Sequence, residues 1–259
     1  MEKELNGKIA LITGAAGNIG KALGKAMHEH GARIVLIDID EKRGRDAQSE
    51  IDPSGRDSFF FKADITSEGD CVNAVKAATE KFDTPDILVN NAGILGKVPV
   101  NIVDISVEDF TRVMDINLKG AFLMSKHVIK NMLSVGKSGN ILNISTLAGI
   151  NPMNYGMPYS VSKAGLIMLS KSIALEYGKY NIRSNTICPG WVMSDLAVTF
   201  SKTMGKDVNV FMDSVGKKSV FSRPCSINDI TSLSLFLLSD KSSFITGQTY
   251  TLDGGSMLQ

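Results

Sequence analysis

The sequence predicts an α/β fold in which a doubly wound parallel sheet of about seven strands carries helices on both faces. Short apolar runs alternate with amphipathic stretches along the whole chain of 259 residues. Several runs, such as 34–37, are apolar at consecutive positions, so both faces of those strands are expected to be buried. Strand–helix alternation with short connections implies right-handed crossovers. Because no repeat or Pro/Ser/Gly-rich linker divides the chain, we expect one domain over 1–259.

The individual elements follow from this alternation. A helix is predicted from after Gly20 to His30, ending at Gly31, where a left-handed residue is often needed. Ser106 precedes a second helix that is expected to begin near Val107. Residues 194–226 form a connection that is longer and less regular than the others. Because long connections at the carboxyl ends of strands enclose ligands in open α/β sheets, we predict a substrate lid there. The predicted strands are 8–13, 33–38, 58–62, 86–90, 139–145, 182–188 and 248–252.

Composition and charge narrow the classes of partner. Lys and Arg total 28 against 27 acidic residues, which favours neither nucleic acid nor an anionic membrane and fits a small substrate or a second copy of the chain. The three cysteines are far apart and show no CxxC spacing, so neither a disulfide framework nor a metal site is expected. No signal peptide and no apolar run of the ~20 residues needed to span a membrane is visible, and we expect a cytoplasmic protein.

A turn rich in small residues, 13–20, follows the first strand and opens a helix. Small residues let the backbone approach a pyrophosphate, and the helix N-terminus offers free N–H groups to it. The second strand ends in Asp38, where a carboxylate can accept hydrogen bonds from the adenosine ribose and would repel a 2′-phosphate. No Lys or Arg lies between Gly14 and Gly20, and Arg43 lies beyond the strand end. We therefore predict NAD rather than NADP; the alternative for Asp38 is a helix cap or a turn residue.

Several motifs in order along 8–255 resemble the compact, single-domain branch of the short-chain dehydrogenase/reductase family, a Rossmann fold. Asn18 stands where that branch usually has a glycine, and glycines at 14, 17 and 20 match the turn of the extended branch, for whose second domain the chain leaves little room. Asn tolerates a left-handed backbone, so we expect it to replace the glycine. The motifs are the glycine turn, Ala63-Asp64-Ile65, Asn90-Asn91-Ala92-Gly93, Asp115-Ile116-Asn117, Tyr159-Ser160-Val161-Ser162-Lys163, Cys188-Pro189-Gly190 and Asp253-Gly254-Gly255.

The resemblance implies a set of cofactor-binding positions. Asp64 and Ile65 are expected to flank the adenine, while a structural role for Asn90 and Asn91 in joining neighbouring strands is also compatible with the pattern. Ser194 stands where the family often has threonine. The full set is Gly14, Asn18, Ile19, Gly20, Asp38, Asp64, Ile65, Asn91, Ala92, Gly93, Tyr159, Lys163, Pro189, Gly190, Val192 and Ser194.

Tyr159 and Lys163 are four residues apart in a predicted helix and so share one face. A free tyrosine has a pKa of about 10, and a nearby ammonium and a positive nicotinamide ring both favour the phenolate. Tyr159 is then suited to remove the proton of an alcohol while hydride leaves, or to donate it in reverse. The family implies that Lys163 also holds the nicotinamide ribose and that Asn117 positions a water linking Lys163 to solvent. A helix kink is the alternative for Asn117.

Two neighbouring residues, Ser145 and Thr146, are candidates for the hydroxyl that polarises the substrate oxygen. The family spacing counted back from Tyr159 leads to Thr146, whereas Ser145 takes the role if a bulge shifts the register. Because successive strand side chains face opposite ways, only one of them reaches the site, and we choose Thr146. Thr146, Tyr155, Tyr159 and Trp191 are the predicted substrate-binding residues; Leu95 and Asn154 are expected to help shape the pocket.

Three functions are compared. The leading one is an NAD-linked dehydrogenase that interconverts a secondary alcohol and a ketone. The second is a reductase of 3-oxoacyl thioesters of the acyl-carrier-protein type, which normally goes with NADPH. The third is a dinucleotide-sensing or scaffold protein without chemistry. The resemblance also implies a homo-oligomer, a tetramer or dimer, in which the apolar residues of 109–132 and 167–177 serve as core or as interface.

Overall fold

Seven parallel strands form one sheet at the centre of the protein. The computed structural model describes residues 3–154 and 156–258. The strands are β1 (Ile9–Thr13), β2 (Arg33–Asp38), β3 (Ser58–Lys62), β4 (Ile87–Asn90), β5 (Gly139–Ile144), β6 (Ile182–Pro189) and β7 (Thr249–Leu252). Their spatial order is β3-β2-β1-β4-β5-β6-β7, which confirms the predicted doubly wound parallel sheet. Each predicted strand is present, with bounds that differ by no more than one residue.

Nine α-helices lie among the described residues, and side chains cap the N-termini of most of them. Asp40, Ser67, Ser106, Ser194, Asp207 and Ser226 each accept a hydrogen bond from a backbone N–H of the first turn. The helices are α1 (Asn18–Glu29), α2 (Glu41–Ile51), α3 (Glu68–Phe82), α4 (Val107–Met114), α5 (Gly120–Ser134), α6 (Met157–Tyr177), α7 (Asp195–Thr203), α8 (Val208–Gly216) and α9 (Ile227–Leu238).

The structure agrees in part with the helix ends that the sequence predicts. α1 begins at Asn18, two residues before Gly20, so the prediction that it starts after Gly20 is wrong. It ends as expected, because Gly31 has a φ of +91°. α4 begins at Val107 with Ser106 as its cap.

The sheet buries side chains on both faces. In β1, Ala10 and Ile12 belong to the core shared with α1 and α9, whereas Ile9 and Leu11 belong to the core shared with α3 and α5. All residues of 34–37 are fully buried, as their continuous apolar character predicts. The sheet is therefore held from both sides, and its carboxyl edge has a defined position for the side chains that follow each strand.

The 194–226 segment differs from its predicted irregular character because α7 and α8 occupy much of it. Ala197, Phe211 and Met212 form a small core of their own, outside the two large ones. The segment returns to the body of the protein at Cys225, whose backbone N–H donates to Trp191 O at 3.0 Å. Among the described residues, no helix combines the length and apolar character that a bilayer crossing requires.

Candidate active site

The turn after β1 has no space for side chains at two of its glycines. Gly14 has a φ of +65°, and a Cβ atom there would lie 2.7 Å from Ala92 Cα. A Cβ on Gly20 would lie 2.3 Å from Gly14 O. Gly17 is different, since the nearest atom to a Cβ there is 3.5 Å away. The backbone of the turn is thus packed tightly against the residues that follow β4.

The N-terminus of α1 is suited to an anion. Its N-cap, Gly17, provides no side-chain hydrogen bond, and the first turn contains no acidic residue. The free N–H groups and the positive end of the helix dipole therefore point at whatever lies in front of the turn. Together with the close approach at Gly14, this arrangement fits the pyrophosphate of a dinucleotide.

Asn18 does not need the left-handed backbone that the sequence analysis invoked. It is the first residue of α1 and is absent from the described residues with positive φ, so that explanation is wrong. A helical position needs no glycine, which is why asparagine is accepted there. In the amide orientation that satisfies both of its polar atoms, the Asn18 nitrogen faces Asp195 and donates to its carboxylate at 2.8 Å.

Asp38 lies beside the glycine turn, at the end of β2. Its carboxylate accepts hydrogen bonds from Ala16 N at 2.9 Å and from Asp40 N at 3.0 Å. Arg43, in α2, does not bind Asp38 directly; its guanidinium donates to Asp195 at 2.6 Å. That contact with Asp195 raises the pKa of Arg43. Arg43, a cation whose pKa is also raised by Asp38, is thus engaged by the first residue of α7.

The other predicted groove residues have mainly structural contacts in the protein alone. The Asn91 amide donates to Thr13 O and Gly14 O, both at 3.0 Å, and the Asn90 amide donates to Asn143 at 2.9 Å, so both join neighbouring strands. Asp64 accepts from Thr66 N at 2.9 Å, and Ile65 is buried beneath Gly120. These residues follow β3 and β4 at the carboxyl edge of the sheet.

Tyr159 and Lys163 lie in the first half of α6 and face the carboxyl edge. Burial raises the pKa of Tyr159 to about 12, and a hydrogen bond with Thr146 opposes that rise. Lys163 is buried and donates from Nζ to Ile144 O at 2.9 Å. Burial lowers the pKa of Lys163 to about 8. The ammonium is therefore held against the end of β5, one helical turn from the phenol.

The two neighbouring hydroxyls after β5 have different partners. The Ser145 hydroxyl is buried and donates to Lys163 O at 2.9 Å, which joins the strand end to α6. Thr146 is half-buried; its hydroxyl donates to Pro189 O at 3.5 Å and lies near enough to the phenol of Tyr159 to lower its pKa. β5 pairs regularly with β6 up to Ile144, so no bulge shifts the register. Gly149 permits the hydrogen bond between Ser145 and Lys163, because a Cβ there would lie 2.9 Å from both Ser145 Oγ and Lys163 O.

Asn117 lies in a π-helical turn, Asp115–Lys119, between α4 and α5. Its side chain is buried and closes on the loop after β4, accepting from Ile94 N at 2.8 Å and donating to Ile94 O at 2.9 Å. It also donates to Ser162 Oγ at 3.0 Å. Gly93 lies against the same group, since a Cβ there would be 3.1 Å from Lys163 Nζ and 3.3 Å from Asn117 Oδ1. Single π turns of this kind are frequent at functional sites.

A cavity of about 430 Å³ opens beside these groups. Leu95, Thr146, Tyr159 and Trp191 line it, together with Ile19, Pro189, Gly190, Val192 and Ser194 of the predicted cofactor set. Asn154 is exposed and does not line it, which contradicts its predicted place; Tyr155 lies outside the described residues. Ser145 also lines the cavity, as do Leu196, Ala197 and Lys218 of the segment 194–226 that was expected to enclose the substrate. Further lining residues carry no motif and were not predicted: Ile144, Leu147, Ala148, Asn151, Pro152 and Met153.

Trp191 has two roles in this geometry. One part of its surface lines the cavity, and its ring packs against Phe200 and Phe211, with centroids 5.0 and 4.7 Å away. It therefore joins the cavity wall to α7 and α8. The isolated bridge between Val192 and Cys225 closes the same segment at its other end.

Comparisons with known proteins agree with this geometry. The family model described as "Enoyl-(Acyl carrier protein) reductase" matches residues 14–257. The chain is 36% identical to galactitol 2-dehydrogenase from Agrobacterium fabrum (strain C58 / ATCC 33970), covering 98% of this chain and 99% of that protein. It is 35% identical to trans-4-hydroxycyclohexanecarboxylate dehydrogenase from Sinomonas cyclohexanicum, covering 96% and 92%. A crystal structure of NAD⁺-bound xylitol dehydrogenase superposes with a TM-score of 0.91 at 31% identity, covering 97% of this chain and 100% of that one.

These nearly full-length matches include the glycine turn, the Tyr159–Lys163 pair and the seven-stranded sheet. The chain belongs to the short-chain dehydrogenase/reductase family and is an oxidoreductase that acts on CH–OH groups.

Proposed function

We propose that the protein is an NAD(H)-dependent dehydrogenase of a secondary alcohol, with Tyr159 as its proton-transfer group. The observation that carries this proposal is that Tyr159 and Thr146 line one cavity, while the buried ammonium of Lys163 is held at the end of β5, one helical turn from the phenol. Relatives named as dehydrogenases of galactitol, xylitol and a hydroxycyclohexanecarboxylate support an alcohol as the reduced substrate.

In this mechanism Thr146 and Tyr159 hold the substrate hydroxyl between them. When bound, the nicotinamide supplies the hydride acceptor. Tyr159 takes the hydroxyl proton as the ketone forms and returns it in the reductive direction. Because burial alone raises the pKa of Tyr159 to about 12, the phenolate needs positive charge nearby. Lys163 provides such a charge: with its pKa at about 8, it is mostly an ammonium at neutral pH.

Lys163 also connects the phenol to the interior of the site. Its ammonium lies against Gly93 and the Asn117 side chain, in the π turn between α4 and α5. We propose that Asn117 holds this turn open for a water that carries the proton between Lys163 and solvent. The role of its side chain is positioning, since all three of its hydrogen bonds are to Ile94 and Ser162.

The preference for NAD over NADP is part of the same proposal. Asp38 retains free acceptor capacity for ribose hydroxyls after binding Ala16 N and Asp40 N, since a carboxylate offers about four lone-pair sites. A 2′-phosphate would meet this negative charge. The nearby cation, Arg43, is engaged by Asp195, which lowers its value as a phosphate ligand. The remaining predicted positions, from Asn91 to Gly93 and from Pro189 to Ser194, are proposed to line the nicotinamide half of the groove.

The test is formation of NADH from NAD⁺ with a panel of secondary alcohols, comparing the wild type with Tyr159→Phe. We expect kcat to fall by roughly 10²- to 10⁴-fold, the usual contribution of a positioned proton-transfer group. Dinucleotide binding, followed by quenching of the single Trp191, is expected to stay close to the wild type. Wild-type turnover in the variant would refute the mechanism. Tighter binding of NADPH, with reduction of a 3-oxoacyl thioester, would favour the reductase alternative instead.

We further propose that the enzyme works as a homo-oligomer. α5 and α6 carry exposed apolar side chains, among them Phe122, Met168 and Leu175, which water-exposed helix faces rarely present together. A second copy of the chain is the partner that a symmetric interface requires. Sedimentation of the wild type and of Leu175→Glu tests this: the wild type is expected to be a dimer or tetramer, and the variant a smaller species.

A further inference from the structure

The charges around the cavity are unevenly distributed. Among the described residues that line it, Lys218 is the one lysine, and neither aspartate, glutamate nor arginine lines it. The walls are largely apolar, with Leu95, Met153 and Leu196 among them. The polar lining residues include Tyr159 and Thr146, the proposed reacting groups. The cavity thus combines these groups with apolar walls and a single cationic side chain contributed by the 194–226 segment.

The backbone around Lys218 is fixed, although its side chain is exposed. Lys218 N donates to Val215 O at 3.2 Å, just beyond α8. Two residues later, Val220 N donates to Gly254 O at 2.8 Å, which ties the segment to the residues after β7. Ser219 between them is buried. Hydrogen bonds therefore fix the backbone that carries Lys218, and the fold sets the position of this lysine at the cavity.

The ammonium of Lys218 differs from many other cations of this protein. Lys21, Lys126 and Lys137 each pair with a carboxylate. Within residues 3–154 and 156–258, no carboxylate forms such a pair with Lys218. The Lys218 side chain is exposed, so water moderates its attraction for an anion, and the attraction is largest for an anion in direct contact with it. A carboxylate of a ligand is the group that would complete this environment.

We propose that the substrate is a hydroxy acid whose carboxylate binds Lys218 while its secondary hydroxyl lies between Tyr159 and Thr146. The inference rests on the proposed alcohol dehydrogenase function. A single lysine is a point charge that suits one carboxylate; a phosphate dianion usually gathers several donors or an arginine fork. The cavity of about 430 Å³ also has to admit the nicotinamide, which favours a small acid. In the reaction, hydride leaves the carbinol carbon for the dinucleotide and the hydroxyl proton passes to Tyr159, so a keto acid is formed.

The experiment compares each acid with its own methyl ester, which keeps the carbinol and removes the charge. Suitable pairs are 3-hydroxybutyrate and trans-4-hydroxycyclohexanecarboxylate with their methyl esters, each assayed with NAD⁺. The variants are Lys218→Met, which keeps length and removes charge, and Lys217→Met as the matched control, since Lys217 is exposed and does not line the cavity.

We expect the wild type to prefer at least one of the acids to its ester. In Lys218→Met, kcat/KM for that acid is expected to fall about tenfold, equivalent to about 1.4 kcal/mol, mainly through KM. The ester should stay within about twofold, and Lys217→Met should change neither. Lys218→Glu should lower acid turnover further while sparing the ester.

Two results would overturn the inference: a wild type that prefers the esters in both pairs, or an acid-to-ester ratio that is the same in the wild type and in Lys218→Met. Failure of the underlying function has a different signature. In that case no NADH forms from the acids, the esters or neutral secondary alcohols, whatever residue stands at 218.

Discussion

The two walls of the active-site cleft differ in how tightly they are packed. On the cofactor wall, the turn after β1 lies directly against the end of β4, so a single added carbon at Gly20 would overlap Gly14 O. On the opposite wall, α7 and α8 have a small core that contains only Ala197, Phe211 and Met212 as buried apolar residues. Trp191, the Val192–Cys225 bridge and the Asp195–Arg43 ion pair connect this wall to the rest of the protein.

This difference indicates how binding and selectivity are divided. The glycine turn of the proposed cofactor wall packs against the end of the main sheet, so we expect it to open at a cost closer to that of global unfolding. The 194–226 segment has few apolar contacts and is expected to open locally at lower cost. Substitutions on the first wall should therefore affect every substrate, whereas substitutions on the second should act on substrate binding and release.

The largest effect is expected at Gly20. Gly20→Ala places a Cβ 2.3 Å from Gly14 O and 2.8 Å from the Asn91 amide, so the turn has to move away from β4. We expect NAD⁺ affinity to fall at least about 100-fold, measured by titration of Trp191 fluorescence. The matched control is Gly17→Ala, where the nearest atom is 3.5 Å away and the backbone is not left-handed. Equal loss in both variants would show that tight packing at Gly20 is not the reason.

Thr146 tests the point where the two walls meet. Thr146→Val keeps the shape and removes the hydroxyl that contacts Tyr159, so kcat is expected to fall about 100-fold with little change in NAD⁺ affinity. Thr146→Ser should recover most of the rate. Ser145→Ala, by contrast, removes a hydrogen bond to Lys163 O and should lower stability more than it lowers kcat. The reverse pattern would assign the substrate hydroxyl to Ser145.

The contact between Trp191 and Phe211 tests whether the 194–226 wall opens independently of the central sheet. Phe211→Ala removes an edge-to-face ring contact at 4.7 Å and part of the small core. We expect KM for the substrate to rise about tenfold and hydrogen exchange to quicken within 194–226, while the exchange of β1 and β4 stays unchanged. If exchange in the central strands rises equally, the segment is not an independent unit.

The smallest effect is expected at the joint between this segment and α9. The Arg223 guanidinium binds Asp229 at 2.6 Å and holds the pKa of that carboxyl well below its usual range. Asp229→Asn also removes the carboxylate from the capping box with Ser226, so the free energy of unfolding should fall by about 1 kcal/mol at pH 7. Because the pKa of Asp229 is lowered on folding, this contribution is present above about pH 4 and is lost as the pH falls further. Unfolding of both proteins at pH 7 and pH 3 measures it, and a difference that persists undiminished at pH 3 would contradict this origin.

Sequence patterns predicted the secondary structure correctly where neighbouring residues in the chain determine it. The short apolar runs located all seven strands. Where a run is continuous, as in 34–37, the strand is buried on both faces. The helix cap at Ser106 and the left-handed Gly31 followed from the same kind of local rule. Asn18 was explained wrongly, since the sequence does not show that α1 already begins there.

What the sequence alone determined about this protein is its sheet, its glycine turn and the Tyr159–Lys163 spacing, all of which depend on neighbours within a few residues or on a repeating period. Only the tertiary structure decided which hydroxyl of Ser145 and Thr146 faces the phenol, that Asp195 engages Arg43, and that Lys218 lies at the cavity. Those contacts join elements far apart in the chain. Their geometry depends on how helices pack across the sheet, which no local pattern encodes.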